Sequence, residues 1–440
     1  MIDSRATGTV SSEESLLRDI RDLARPLVSE TDLEPLVERA RSARFIAIGE
    51  ASHGTHEYYS WRAALSRRLI EDGRIDWIGV EGDWPDCWRI DRWVRGLDPS
   101  ARDARAVLAS FSRWPTWMWA NSDVADFLDW LREWNDQRPP ASRVGFYGLD
   151  IYSLWDSLDR IIGWVQQNAP DALPEAMHAW QCFVPYGEDP QRYAWSTRMV
   201  PESCENDVVE LLARVRREAA HDGDDAFDAE QNAEVATGAE RYYRAMVRAD
   251  RLSWNVRDIH MVDTIDRLAK HFGEKSRGIV WEHNTHVGDA RATDMRGAGM
   301  VNVGQLLRER HASDGVLLIG FAGQRGSVIA APAWGERERV LPVPESRPGS
   351  HEDLLYRALD GPSVLVFPTE RRRPWLAATL DHRAIGVVYD PARERGNYVP
   401  TVMGARYDAL IWFDQTEALV PLSHEPSTPG PEYETEPTGF

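Results

Sequence analysis

Short apolar runs, each closed by a polar turn, recur along the chain and alternate with stretches of helical period. "RFIAIGE", "IDWIGVEGDW" and "RVGFYGLDIYS" are the first three. Each reads as a buried strand that delivers an acid to a turn: Glu50, Glu81 and Asp150. Between the first two, Thr55 to about Asp72 reads as a helix stopped by Gly73. Residues 11–42 read as two helices, with capping boxes at Ser11-x-x-Glu14 and Thr31-x-x-Glu34. From Ser153 to about Gly273 the pattern is helical almost throughout, with one long helix from about Asp228 past Leu268. Strand character returns in "SRGIVWEHNTHVGD", "GVLLIGF", "SVIAA", "PSVLVF", "AIGVVY" and "DALIWF". Strands alternating with helices predict an α/β fold, a largely parallel sheet core with a long helical insertion forming a cleft. The expected divisions are 1–152 and 276–424 for the two parts of the core, 153–275 for a helical subdomain, and 425–440 for a disordered Pro/Glu/Ser/Thr-rich tail.

Composition narrows the partners. At 440 residues, 42% hydrophobic and 28% charged, the chain is ordinary for a globular protein with a large core. A net charge of -20 argues against a nucleic-acid or anionic-membrane surface. The irregular spacing of Cys87, Cys182 and Cys204 makes neither a disulfide framework nor a CxxC metal site. With no signal segment and no apolar run near 18 residues, the expectation is a cytoplasmic protein without a membrane anchor. Nineteen tryptophans are many. They are either bulky core or the walls of a cleft for a partly apolar ligand, with Trp84 after "GVEGD" a candidate contact.

Several chemistries fail on spacing. "GEASHG" is not a GxSxG elbow, "HEYYS" lacks the second histidine of HExxH, and "GAGMVNVG" misses GxGxxG. No GxxxxGK[ST] loop is present. Carboxylate–imidazole chemistry remains. In open parallel sheets ligands bind beyond the carboxyl ends of the strands, where Glu50, Glu81, Asp150, His283 and His286 all fall. Glu50 lies three residues before His53 at a tight turn, so its carboxylate can orient an imidazole that deprotonates water. A helix-start histidine bonded to backbone is the plain alternative. Arg62 falls in the inward stripe of its helix with Tyr58, Trp61, Leu65 and Leu69. A buried guanidinium needs partners, and Glu50 and Glu81, on strands taken as neighbours, are the natural ones; snorkelling to water is the alternative. His283-x-x-His286 supplies either two metal ligands or N–H donors to a carbonyl oxygen gaining charge, or else local bonds only. Arg257 lies beside the Trp254–Met261–Leu268 stripe, as an ion pair or a substrate contact. His56, beginning the first helix after the turn, is a further candidate contact.

Together "GEASHGTHEYYSWR", "GVEGDW" and "WEHNTHVGDARATDM" followed by "VNVGQLLRER" resemble the erythromycin esterase family, in order and separation, over about residues 15–420. The family's active-site glutamate and histidine fall on Glu50 and His53, its helix arginine on Arg62, its second-strand glutamate on Glu81, and its histidine pair on His283 and His286. The resemblance implies an α/β core, a helical subdomain and a deep cleft. It also implies lactone hydrolysis by a histidine-activated water, without an essential metal, cofactor or covalent serine. The expectation is an ester or lactone hydrolase acting on a small molecule. Its rivals are a metal-dependent hydrolase using His53, Glu81, His283 and His286, and a protein that binds an aromatic or macrocyclic ligand without turnover.

Overall fold

In the computed structural model twelve strands are found among the described residues, which are 13–424 apart from 74, 188, 200–202, 220–222, 249 and 370–372. They are β1 (Ala24–Pro26), β2 (Phe45–Ile48), β3 (Trp77–Asp83), β4 (Gly145–Asp150), β5 (Gly278–Trp281), β6 (Val316–Gly323), β7 (Gly326–Ala330), β8 (Arg339–Val343), β9 (Ser363–Val366), β10 (Thr379–Arg383), β11 (Tyr398–Val402) and β12 (Ala409–Phe413). Eight form one sheet in the order β1-β9-β12-β6-β2-β5-β3-β4. The six from β12 to β4 are parallel; β9 is antiparallel to both of its neighbours. The fold is α/β with a largely parallel sheet and a long helical insertion.

Both faces of the sheet are covered, so its strands read as unbroken apolar runs. Alternate residues serve opposite faces. Ile46, Ile48, Ile78 and Val80 pack with the helices His56–Glu71 and Ser122–Asp136. Phe45, Ala47, Trp77 and Val280 pack with Asp250–His271 and Val303–Arg310. Between β4 and β5 the chain is helical and builds a third core around Ile161, Val215 and Tyr242.

Four expectations change. The long helix is two, Asp224–Met246 and Asp250–His271, packed against each other. "AIGVVY" is not a strand; Ile385 and Val388 make single bridges to Ser52 and Ala331, and the strand β10 precedes them. The second capping box uses Ser29 and Asp32, the Asp32 carboxylate accepting from the Ser29 N–H at 2.8 Å, in place of Thr31 and Glu34. Cys182 and Cys204 are joined in a disulfide, since the helices around them bring the two sulfurs together; Cys87 is free and buried. Ser11 and the tail from Glu425 lie outside the described residues. Among those residues, no helix is long and apolar enough to cross a membrane.

Candidate active site

The carboxyl end of β2 runs into a turn clamped from both sides. The Gly54 carbonyl accepts from the N–H groups of Ile329 and Leu419, each at 3.0 Å, and a Cβ there would overlap the Ile329 carbonyl. Asn284, just past β5, ties three strand ends together: its N–H reaches the Glu50 carbonyl at 2.8 Å and its side chain the Phe321 carbonyl at 2.8 Å.

This turn buries both members of the Glu50–His53 pair completely, with Nδ1 of His53 2.7 Å from Oε1 of Glu50. The carboxylate holds the tautomer with the proton on Nδ1 and the lone pair on Nε2. Tyr59 donates to the same carboxylate oxygen at 3.3 Å. Arg62, also fully buried, places Nη1 2.9 Å from Oε2 of Glu50 and lies over the rings of Tyr59 and Trp281 at 4.4 and 4.8 Å.

Glu81 is not its second partner. β5 separates β2 from β3, and Glu81 follows the strand face of Trp77 and Gly79, while Glu50 follows that of Ile46 and Ile48. Glu81 therefore meets a guanidinium from the opposite layer. Arg257 reaches Oε1 of Glu81 at 2.7 Å and grips Asp150 with two bonds of 3.0 and 2.8 Å. Oε2 of Glu81 accepts the His283 N–H at 2.8 Å. Despite burial, His286 and Arg257 hold the Glu81 carboxyl well below its ordinary range.

His283 bridges the two halves: its ring lies 4.7 Å from that of His53 and its Nδ1 is 2.8 Å from the Thr285 hydroxyl. His286 stacks on Trp254 and sets Nδ1 3.0 Å from Asp258. Burial opposes its charge, but Asp258 and Glu81 overcome that and raise its pKa well above the ordinary histidine value. Its Nε2 faces both Oε1 of Glu81, at 3.4 Å, and Nη1 of Arg257, at 3.2 Å. The charged ring donates to the first; the neutral ring accepts from the second. Asp258 and Tyr59 went unnoticed in the sequence. Helical spacing offered Tyr59, three residues before Arg62.

A cavity of roughly 60 Å³ opens over Glu81, Asp150 and Arg257. Trp114, Trp119 and Trp334 line it, while at least seven other tryptophans are fully buried in the core. Trp84 belongs to the second set: it stacks on Trp88 and Tyr147 and donates to Asp228, away from the cavity. His56 is also elsewhere, half exposed beside Asp123 at 2.9 Å, where that hydrogen bond raises its pKa. His53 sits beneath the lining and does not contribute to it. Among the described residues, the one set of three metal-type donors within 4.8 Å of one another is Cys182, Cys204 and Asp207, and its sulfurs are bonded to each other.

Residues 70–416 match the family model described as erythromycin esterase. The chain belongs to the erythromycin esterase family. A Bacillus subtilis (strain 168) protein named "Putative hydrolase YbfO" is 20% identical over 437 residues, covering 93% of each chain. The match extends the likeness beyond the family span, which begins after the Glu50–Arg62 segment. A solved protein from Bacillus cereus shares the fold with a TM-score of 0.78 at 19% identity, over 93% of this chain and 99% of its own. A succinoglycan biosynthesis protein gives a TM-score of 0.78 at 17% identity and the same coverage. The erythromycin esterase EreC, a histidine-to-asparagine mutant in its open conformation, gives 0.66 at 18% identity over 91% and 96% of the chains.

Proposed function

We propose that this erythromycin esterase family member hydrolyses an ester or lactone of a small molecule with a water activated by His53. The observation that carries the reading is the buried Glu50–His53 pair, its carboxylate pinned by Arg62. A base must hold a defined tautomer at a fixed position, and the pair meets both needs. His53 Nε2 takes a proton from water, and Glu50 offsets the charge that develops on the ring. The ring N–H groups of His283 and of charged His286 supply donors for the carbonyl oxygen as it becomes an oxyanion, with the charge of Arg257 behind them. Proton return to the leaving oxygen falls to the imidazolium of His53 or His286. Because His53 is fully buried, the ester reaches it only after the groups that cover it move.

The test is a panel of aryl esters and macrolactones assayed for acid and alcohol together. Direct attack by water predicts that both products appear in step, without a burst of alcohol. A burst equal to the enzyme concentration would mean an acyl-enzyme; no product from any member of the panel would remove the hydrolase reading.

A further inference from the structure

Both site histidines ride on one short segment, His283 to Asp289, and a residue from far along the chain holds it. Arg406 ends the short helix Met403–Arg406 that precedes β12, and it is buried. It grips the segment at two points. Nη2 donates to the Asn284 carbonyl at 3.2 Å, and the Arg406 carbonyl accepts the Asp289 N–H at 3.0 Å. Gly288 lies flat against the side chain: a Cβ there would fall 2.5 Å from Nε and 2.7 Å from Cγ of Arg406. The guanidinium is itself fixed. Nη1 donates at 2.7 Å to the Thr401 hydroxyl, whose own proton goes to the Val399 carbonyl at 2.9 Å. Among the described residues Arg406 has no carboxylate partner, only these neutral acceptors. A guanidinium so placed is costly to bury, and what it holds is the functional segment. The Asn284 carbonyl, which also accepts from the Gly288 N–H at 2.9 Å and the Tyr407 hydroxyl at 3.4 Å, shares a peptide group with the Thr285 N–H. That N–H donates to Nδ1 of His283 at 3.3 Å, beside the 2.8 Å contact of Nδ1 with the Thr285 hydroxyl. A hydroxyl serves either tautomer. A backbone N–H can only donate, so Nδ1 keeps its lone pair and the ring proton sits on Nε2. An arginine hydrogen bond at the carbonyl polarises the peptide and strengthens the donor at its other end.

We propose that Arg406 is a positioning residue: through the Asn284–Thr285 peptide it holds the His283 ring with its proton on Nε2, as a donor to the developing oxyanion. The tautomer follows from the hydrogen bonds; its use on an oxyanion rests on the hydrolase reading. With His283 held as a donor, His53, 4.7 Å away ring to ring, remains the base. The test reads the tautomer directly. The full-length protein is labelled with heavy nitrogen in its histidines, and proton–nitrogen correlations across each imidazole distinguish a protonated ring nitrogen from a bare one. The His283 signals are those that vanish in His283→Gln. The wild type should show a bare Nδ1 and a protonated Nε2. Arg406→Met keeps bulk and removes the donor. It should populate the other tautomer and lower kcat on a hydrolysed ester about tenfold to a hundredfold, with KM within about threefold. An arginine that only stabilised the fold would change the melting temperature and leave the tautomer alone. Arg406→Lys keeps a cation without the fork and should lower kcat by a smaller factor; it decides the matter if the Met variant does not melt cooperatively. A wild-type ring protonated on Nδ1, an unchanged tautomer in folded Arg406→Met, or wild-type kcat in Arg406→Lys overturns the proposal. A tautomer shift in a protein that hydrolyses no ester keeps the positioning role and removes the hydrolase.

Discussion

The Arg62 guanidinium has no exposed surface, and among the described residues its ion-pair partner is Glu50 at 2.9 Å. Removing one partner of a buried pair typically costs about 3–5 kcal/mol. Arg62→Ala should therefore lower the melting temperature by several degrees as well as the rate; an unchanged melting curve would contradict the burial. Asp83 gives a pH dependence of definite sign. Its carboxyl rises from the ordinary 3.8 to about 7 on folding, so its contribution to stability is full below about 3.8 and is lost as pH climbs through about 7. The loss of melting temperature between pH 6 and pH 8 should therefore be smaller in Asp83→Asn than in the wild type; equal losses would contradict the assignment. Much of this was legible. The helical wheel turned Arg62 inward, and the strand ends gathered Glu50, Glu81 and the histidines. The pairing of Arg62 with Glu81 failed because residue 50 continues the face of Ile46 and Ile48 while residue 81 continues that of Trp77 and Gly79. The period of two contained that answer; the strand order, with β5 between, did not lie in any local pattern.

At the scale of elements, the turn from Gly49 to Thr55 is the device that fixes His53. Gly54 is held on both sides and a side chain there meets the backbone of β7. Gly54→Ala should displace the turn, costing about 1–3 kcal/mol of stability and lowering kcat more than it raises KM. Wild-type kcat with wild-type melting would show the turn to be loosely held. The core strands declared themselves because strands buried on both faces are continuous apolar runs. β8, β10 and β11 did not: "RVLPV" and "TLDHR" carry exposed polar residues and a proline, having only one partner each. "AIGVVY" misled in the other direction, its apolar residues serving as buried loop against β7 and the His53 turn. The break between the helices ending at Met246 and starting at Asp250 has no glycine or proline to announce it. The two helices pack on each other, and that tertiary contact outweighs local propensity.

At the scale of the whole molecule, two layers of helices each send one arginine to the carboxyl edge of the sheet, Arg62 from one side and Arg257 from the other. Each arginine claims a different carboxylate. A divalent cation would compete with them for Glu50 and Glu81 and be repelled by both. The purified protein should accordingly keep its hydrolytic rate after prolonged chelation, with no stoichiometric metal by elemental analysis. One ion per chain whose loss and return switch activity would instead promote a metal mechanism. The central claim, that His53 is the base, is tested most directly by kcat/KM of His53→Asn on a hydrolysed ester, with melting measured on the same sample. The account predicts a fall on the order of 10²–10⁴ with the cooperative melt retained. A well-folded variant within about twofold of wild type would contradict it.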